Sequence, residues 1–402
     1  TYFMTILSSS LSRIKPSPTI AVTQKARELK EKGVDVISLG AGEPDFDTPD
    51  NVKEAAIRAI NSGDTKYTTV DGTPKLKEAI INKFKKENGL DFSKDQINVG
   101  AGGKQVIFNA ILSTINPGDE VLIPAPYWVS YPDIVLLAGG TPKIVICDEK
   151  DEFKITPQKL KKNLNSKTKW IILNSPSNPT GSCYSKDEID AIADILKDYP
   201  EVMVMSDDIY EHVVYDNFKF YTIAQNKNVT DRTLTINGVS KSYAMTGWRI
   251  GYAGGPKDLI KAMAKIQSQS TTNPSSISQA AAVEALSGDQ SFIKDRSDAF
   301  KERRDFVVSK LNKINVIKCL NPQGAFYVFP SCKGCIGKVH SELGEIKNDT
   351  DFVSKLLEST GVAVVQGSAF GLEGFFRISY ATSMTNLEKA VERISDFCSK
   401  LS

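Results

Sequence analysis

Residues Asn237 to Gly251 read N-G-V-S-K-S-Y-A-M-T-G-W-R-I-G. They follow a β-branched run, Leu234-Thr235-Ile236, that reads as the end of a buried strand. Lys241 therefore stands just beyond a strand end, with Ser240 before it and Arg249 eight positions on, between Gly247 and Gly251. The pattern suggests an amine held near an anion, and a partly buried site near a second cation lowers its pKa, so the ammonium can shed its proton and form a Schiff base. A solvated loop lysine beside an ordinary surface arginine fits the same spacing, so the decision falls to the sequence on either side.

Outward from that stretch, strands and helices take turns. Short apolar runs predict strands at 96–99, 120–123, 143–147, 170–174, 202–206 and 233–237. Between them, helical periodicity is expected at 104–115, 128–138, 157–163 and 186–197. Such alternation gives a mostly parallel sheet covered on both faces, and ligands of such sheets sit at the carboxyl ends of the strands. Upstream, helices are expected at 20–32, 49–61 and 73–88, with a short strand at 37–39. Near 290 the alternation stops. A long charged helix (291–312) leads into strands at 316–319, 325–329, 362–365 and 376–379, a polar insertion at 331–350 and helices at 351–359 and 385–400. The predicted class is α/β with a second, smaller α+β unit. The expected division is an N-terminal segment 1–48 that joins the small unit and covers the site, a large domain 49–290 and a small domain 291–402.

The 402 residues carry 50 basic and 48 acidic side chains, a formal charge of +2 that gives no electrostatic case for nucleic acid or an anionic membrane. No apolar run approaches the roughly 20 residues that span a bilayer, and a cytoplasmic setting is expected. Six cysteines are too few for a disulfide scaffold. Cys332 and Cys335 form a lone C-x-x-C, and only His212 and His340 could complete a zinc site, so free thiols and no metal are expected.

Four further stretches carry chemistry. Ala101-Gly102-Gly103-Lys104-Gln105 lies between a strand and a helix, where small residues let N–H groups approach an anion, although a plain turn reads the same way. Asn174-Ser175-Pro176-Ser177-Asn178-Pro179-Thr180-Gly181 closes a strong strand, and its prolines would hold the Asn178 side chain in one direction. Asp207, at the end of the apolar run 202–205, needs a cation to offset its desolvation, such as a protonated ring nitrogen. Tyr210 could reach the same ligand, and a helix cap by Asp207 is the competing reading. Arg377 within F-R-I-S wants a bidentate carboxylate, from a substrate or from an internal acid. Together these groups fit pyridoxal 5′-phosphate acting on an amino acid.

The chain resembles the fold-type I, class I aminotransferases, and within them the bacterial aspartate aminotransferases of the subgroup that includes prephenate aminotransferases. G-A-G-E-P-D-F-D-T-P, G-G-K-Q, P-Y-W-V-S-Y-P, N-P-T-G, S-D-D-I-Y-E-H, S-K-x7-R-x-G and F-R-I-S-Y-A-T carry the likeness from about Leu11 onward. It implies a seven-stranded sheet in the large domain and a homodimer in which Tyr67 reaches the neighbouring subunit's phosphate. Lys241 would be the Schiff-base lysine and proton shuttle, Asp207 the partner of the pyridine nitrogen, and Tyr210 and Asn178 the partners of the ring oxygen. Gly103, Lys104, Ser240 and Arg249 would hold the phosphate, and Trp128 would stack on the ring. Arg377 would clamp the substrate α-carboxylate beside Gly42, Asn178 and Trp128. Two departures stand out. Residues 267–274 hold no arginine for a distal carboxylate, which the subgroup implies would fall to Lys15 and Thr19, with Lys104 a further candidate. Gly238 stands where many relatives carry a phosphate-binding serine. The expected reaction is amino-group exchange between aspartate and 2-oxoglutarate by a ping-pong cycle, extending to prephenate. An aromatic preference, a lyase on the same scaffold and a cofactor-sensing regulator are the alternatives, though the sequence offers no DNA-binding module for the last.

Overall fold

The computed structural model describes residues 6–402. The chain begins with helix α1 (Ile20–Glu31), strand β1 (Ile37–Ser38) and helices α2 (Asp50–Asn61) and α3 (Pro74–Asn88). The alternating region follows: β2 (Ile97–Gly100), α4 (Gly103–Thr114), β3 (Glu120–Ala125), α5 (Ser130–Leu137), β4 (Thr141–Ile146), α6 (Pro157–Asn163), β5 (Thr168–Asn174), α7 (Lys186–Leu196), β6 (Met203–Asp207) and β7 (Thr233–Gly238). Next come β8 (Gly251–Gly254), α8 (Lys257–Ser268), α9 (Ser276–Ser287) and α10 (Phe292–Leu311). The remaining elements are β9 (Tyr327–Val328), β10 (Val339–His340), β11 (Gly344–Glu345), α11 (Asp349–Thr360), β12 (Val362–Ala363), β13 (Val365–Gln366), β14 (Phe376–Ser379) and α12 (Met384–Ser399).

Seven strands form the main sheet in the order β2-β8-β7-β6-β5-β3-β4. Neighbours from β7 to β4 pair in parallel, and β8 runs antiparallel to both β7 and β2. Alternate residues serve opposite faces, as the strand period requires. Trp170 and Ile172 pack with Val106, Ile107 and Ile134 on one side, and Ile171 and Leu173 pack with Leu160, Ile189 and Ile192 on the other. Helix ends are set by local chemistry. Thr73 caps α3, whose exit is Gly89 at φ 63, and a Ser185–Glu188 capping box starts α7. A second core gathers Phe326, Val328, Phe352, Ile378 and Phe397 around the three-stranded sheet β13-β14-β9. β1 pairs with β12, which brings Ile37 and Leu39 into that core.

One expectation needs correcting, and one strand was not expected. The predicted strand at 316–319 is a single bridge, Lys318 to Ser331. The Asn312 side chain takes a ladder's place, donating to the Cys319 carbonyl and accepting from its N–H, both at 2.9 Å. Strand β8 escapes propensity reading because two of its four residues are glycine.

Candidate active site

The carboxyl ends of three adjacent parallel strands open on one cavity of about 400 Å³. β5 supplies Asn174, β6 supplies Asp207, and β7 leads through Gly238 to Ser240 and Lys241. Gly42, Gly103, Lys104, Trp128, Tyr131, Asn178, Tyr210 and Arg249 are also among the lining residues.

Lys241 Nζ donates to the Gly42 carbonyl and lies 5.9 Å from the centre of the Tyr210 ring. Burial brings its pKa down to about 8, helped by Arg377 and Arg249 and opposed by Glu43 and Asp207. Asp207 caps no helix, because turns follow it. The Tyr131 hydroxyl donates to its Oδ2 at 2.5 Å and the Ile209 N–H to its Oδ1 at 3.4 Å. Burial still raises the Asp207 pKa, against those hydrogen bonds and the charge of Lys241. A buried acid in that condition is stabilised by a cation arriving in the cavity. The Tyr210 hydroxyl is 2.8 Å from that of Tyr327.

At the other end of the cavity, β2 runs into the N-terminus of α4. Gly102 has φ +84, and a Cβ there would stand 2.1 Å from Arg249 Nη2. A Cβ on Gly251 would stand 2.2 Å from the Gly103 nitrogen. The loop and Arg249 meet only because neither glycine has a side chain. Arg249, itself left-handed at φ 57, donates from Nη1 to the Thr246 carbonyl at 2.8 Å. A helix N-terminus beside a guanidinium and the buried Ser240 hydroxyl is an anion cradle. Gly238, in register with Gly251, has no side chain and so adds no hydroxyl to the cradle. Lys104 Nζ sits 5.0 Å from the centre of the Trp128 ring, and burial together with Arg249 lowers its pKa.

Arg377, 6% exposed on β14, reaches the cavity through Asn178, whose Oδ1 accepts from Nη1 at 2.8 Å. Nη2 donates to the Gly40 carbonyl at 2.7 Å, Nε has no partner among the described residues, and the guanidinium lies 4.6 Å from the Tyr327 ring centre. Its polar contacts are an amide and a carbonyl, which leaves its charge for an incoming carboxylate.

A family model for aminotransferase class I and II matches residues 34–394. The chain belongs to that family. It is 59% identical over 400 residues to the aspartate/prephenate aminotransferase of Cereibacter sphaeroides, covering 99% of this chain and 100% of that one. Its fold is similar to the crystal structure of the Rhizobium meliloti aspartate aminotransferase, with TM-score 0.97, 53% identity and coverage of 98% and 99%. It is also similar to the Thermus thermophilus aspartate aminotransferase with maleate, with TM-score 0.91, 42% identity and coverage of 98% and 100%. Membership of the class I and II aminotransferases implies dependence on pyridoxal phosphate. The residues fit that group: an amine of lowered pKa, a buried acid short of a cation, and an anion cradle that a Cβ would fill.

Besides Arg377, which stands behind Asn178, three expected site residues of this aminotransferase do not line its cavity. Tyr67 is 88% exposed, and Lys15 is exposed. Thr19 Oγ1 is 2.8 Å from Ser17 Oγ. Their segment is seated elsewhere, with Arg13 donating to the Leu137 carbonyl at 3.4 Å and Gln366 to the Pro18 carbonyl at 3.2 Å. Sequence reasoning missed Tyr131 and Tyr327. The signal for Tyr131 was its place three residues after Trp128, which puts both on one side of a helical turn; their rings meet edge-on at 5.2 Å. All six thiols are free and buried. Among the described residues, Glu87, Glu211 and His212 come close enough to share a metal, but the Lys83 ammonium already stands between the two carboxylates. No helix among the described residues is long and apolar enough to cross a membrane.

Proposed function

We propose that this aminotransferase moves the amino group of L-aspartate onto 2-oxoglutarate, and that prephenate also serves as acceptor. The observation that carries the reading is Lys241, an amine of lowered pKa set among Asp207, the Arg249 cradle and Arg377. The names of the similar proteins supply aspartate and prephenate, and 2-oxoglutarate is part of the proposal itself. Pyridoxal phosphate, when bound, supplies the electron sink for breaking bonds at the substrate Cα.

Lys241 is the attachment point and moves the proton to and from the substrate Cα. Asp207, aligned by Tyr131, keeps the ring nitrogen protonated. Tyr210 and Asn178 would hold the ring oxygen, and Trp128 would pack against the ring. Gly103, Lys104, Ser240 and Arg249 hold the phosphate, with Tyr67 of a second copy joining them; its 88% exposure in one chain suits that task. Arg377, Asn178 and Gly42 take the substrate α-carboxylate. The distal carboxylate is assigned to Lys15 and Thr19, which requires their segment to move inward when substrate binds. The pairing of β1 with β12 supports a division in which 1–48 joins the small domain 291–402 against the large domain 49–290.

A donor-only reaction tests the reading. With cofactor-loaded protein and L-aspartate alone, one equivalent of oxaloacetate per chain should appear and then stop. Adding 2-oxoglutarate or prephenate should restart it. Continuous release of ammonia without an acceptor would replace the reading with a lyase. Unchanged oxaloacetate and prephenate turnover in Lys15→Ala would remove Lys15 from substrate recognition.

A further inference from the structure

Beside the site lies a buried polar cluster that contributes nothing to the cavity wall. Glu211 follows Tyr210 in the chain and is 5% exposed. Its Oε1 accepts from Asn237 Nδ2 at 2.7 Å and from Lys83 Nζ, and its Oε2 accepts from Asn88 Nδ2 at 2.8 Å. Lys83 also donates to Asn88 Oδ1 at 2.6 Å and lies 3.3 Å from Glu87 Oε2, which is 3.2 Å from His212 Nε2. Asn237 is fixed at its other end too, its Oδ1 accepting from the Gly238 N–H at 2.8 Å.

The position of the cluster gives it a task. The ladder between β6 and β7 closes with the Asp208 N–H donating to the Ile236 carbonyl at 2.9 Å. Past that bond the two segments part, one carrying Tyr210 into the cavity and the other Lys241. The Glu211–Asn237 hydrogen bond ties them again, and the last turns of α3 hold Glu211 through Lys83 and Asn88. A carboxylate this deeply buried is costly unless a cation and hydrogen bonds meet it. Here one ammonium and two amides do so, which leaves the carboxylate a single arrangement.

We propose that Glu211 is a positioning residue which, through Asn237, fixes the spacing between the Tyr210 phenol and the Lys241 amine. The inference rests on the cavity being the cofactor site. Spacing matters there because a phenol and a lysine that share one ligand set its protonation through distance.

The test uses full-length protein loaded with pyridoxal phosphate. It reads the pH midpoint of the cofactor absorbance, kcat and KM for aspartate, and the melting temperature. Asn237→Ala cuts the tie, the double variant Lys83→Met/Glu211→Gln neutralises the pair, and Glu87→Gln alters only the outer carboxylate. Asn237→Ala and the double variant should move the midpoint by half a pH unit or more and lower kcat tenfold or more, with KM within threefold. Glu87→Gln should lower the melting temperature and leave midpoint and kcat as they were. A wild-type midpoint and kcat in Asn237→Ala would overturn the proposal. So would a Glu87→Gln midpoint shift equal to that of Asn237→Ala, since the cluster would then act through stability alone. If the double variant does not fold, Asn237→Ala decides by itself, because it keeps the Lys83–Glu211 pair. Wild-type protein whose added cofactor shows no pH-dependent absorbance would overturn the cofactor reading first, and this proposal with it.

Discussion

A lysine that burial has made a weaker base carries a folding cost that can be read from outside. In the unfolded chain Lys241 keeps an ordinary pKa, and in the folded protein its value is about 8. Between those two values the unfolded chain binds the extra proton, so stability rises with pH across that window and the penalty is complete below it. Cofactor-free Lys241→Met should therefore be more stable than wild type at pH 7. That advantage should shrink by about 3 kcal/mol as pH approaches 10.5, which denaturant unfolding across pH would show. Tyr131→Phe removes the hydroxyl that donates to Asp207 and leaves the ring packed. The carboxyl pKa should rise further and hold the ring nitrogen less well, giving weaker cofactor retention and a kcat lower by about tenfold, in line with the loss of one hydrogen bond to a charged group. Lys241 and Asp207 stood out in the sequence because each follows an apolar run, where a charge is costly unless a partner meets it, although a loop lysine and a helix cap were the competing readings. Tyr131 did not, because the acid it serves lies 76 residues away. A tyrosine on a half-apolar helix reads as core.

Among the elements, the junction of β2, α4 and β8 is the most sharply constrained. Gly102→Ala would place a methyl group where the Arg249 guanidinium now lies, at a φ of +84 that L-residues rarely adopt. The fold should survive, because the arginine end can swing away. Affinity for pyridoxal phosphate should fall by tenfold or more, measured by titrating apo-protein and following its absorbance. Residues 40–48 form a second such junction. Arg303 holds Asp45 through two hydrogen bonds of 2.8 and 3.1 Å, while Arg296 and Arg303 stand 5.1 and 5.3 Å from the Phe46 ring centre. The same loop presents the Gly40 carbonyl to Arg377 and the Gly42 carbonyl to Lys241. Asp45→Ala should loosen it and raise KM for aspartate several-fold with a smaller change in kcat, in steady-state assays. The alternating elements from 96 to 238 were legible to within a few residues, because apolar strands and amphipathic helices each leave their own period. β8 was not, since its glycines serve close approach instead of propensity, and neither was the bridge at Lys318, where an asparagine side chain satisfies the backbone.

For the molecule as a whole, ligand binding and folding are linked. Pyridoxal phosphate at a hundredfold excess over its dissociation constant should add about 2.7 kcal/mol to stability and raise the melting temperature by several degrees. Differential scanning calorimetry with and without cofactor measures this, and Lys241→Met should show a smaller rise. In sedimentation the loaded protein should run as two chains, as the exposed Tyr67 requires if it completes a neighbour's site. The end of strict strand-helix alternation near 290 was legible, since a long charged helix, α10, follows it. A segment 1–48 that joins the small unit was expected, but its strand partner β12 was not legible, because parallel pairing between segments so far apart leaves no local mark. The hydrogen bond from Arg377 to the Gly40 carbonyl spans 337 positions of chain. Contacts between such distant partners must overcome a large closure entropy and tend to form late. A growing polypeptide cannot complete this one until residue 377 has left the ribosome. The seating of the Arg377 guanidinium thus waits on all the chain between residues 40 and 377, and a chain cut short before that point would lack it however well its large sheet had formed.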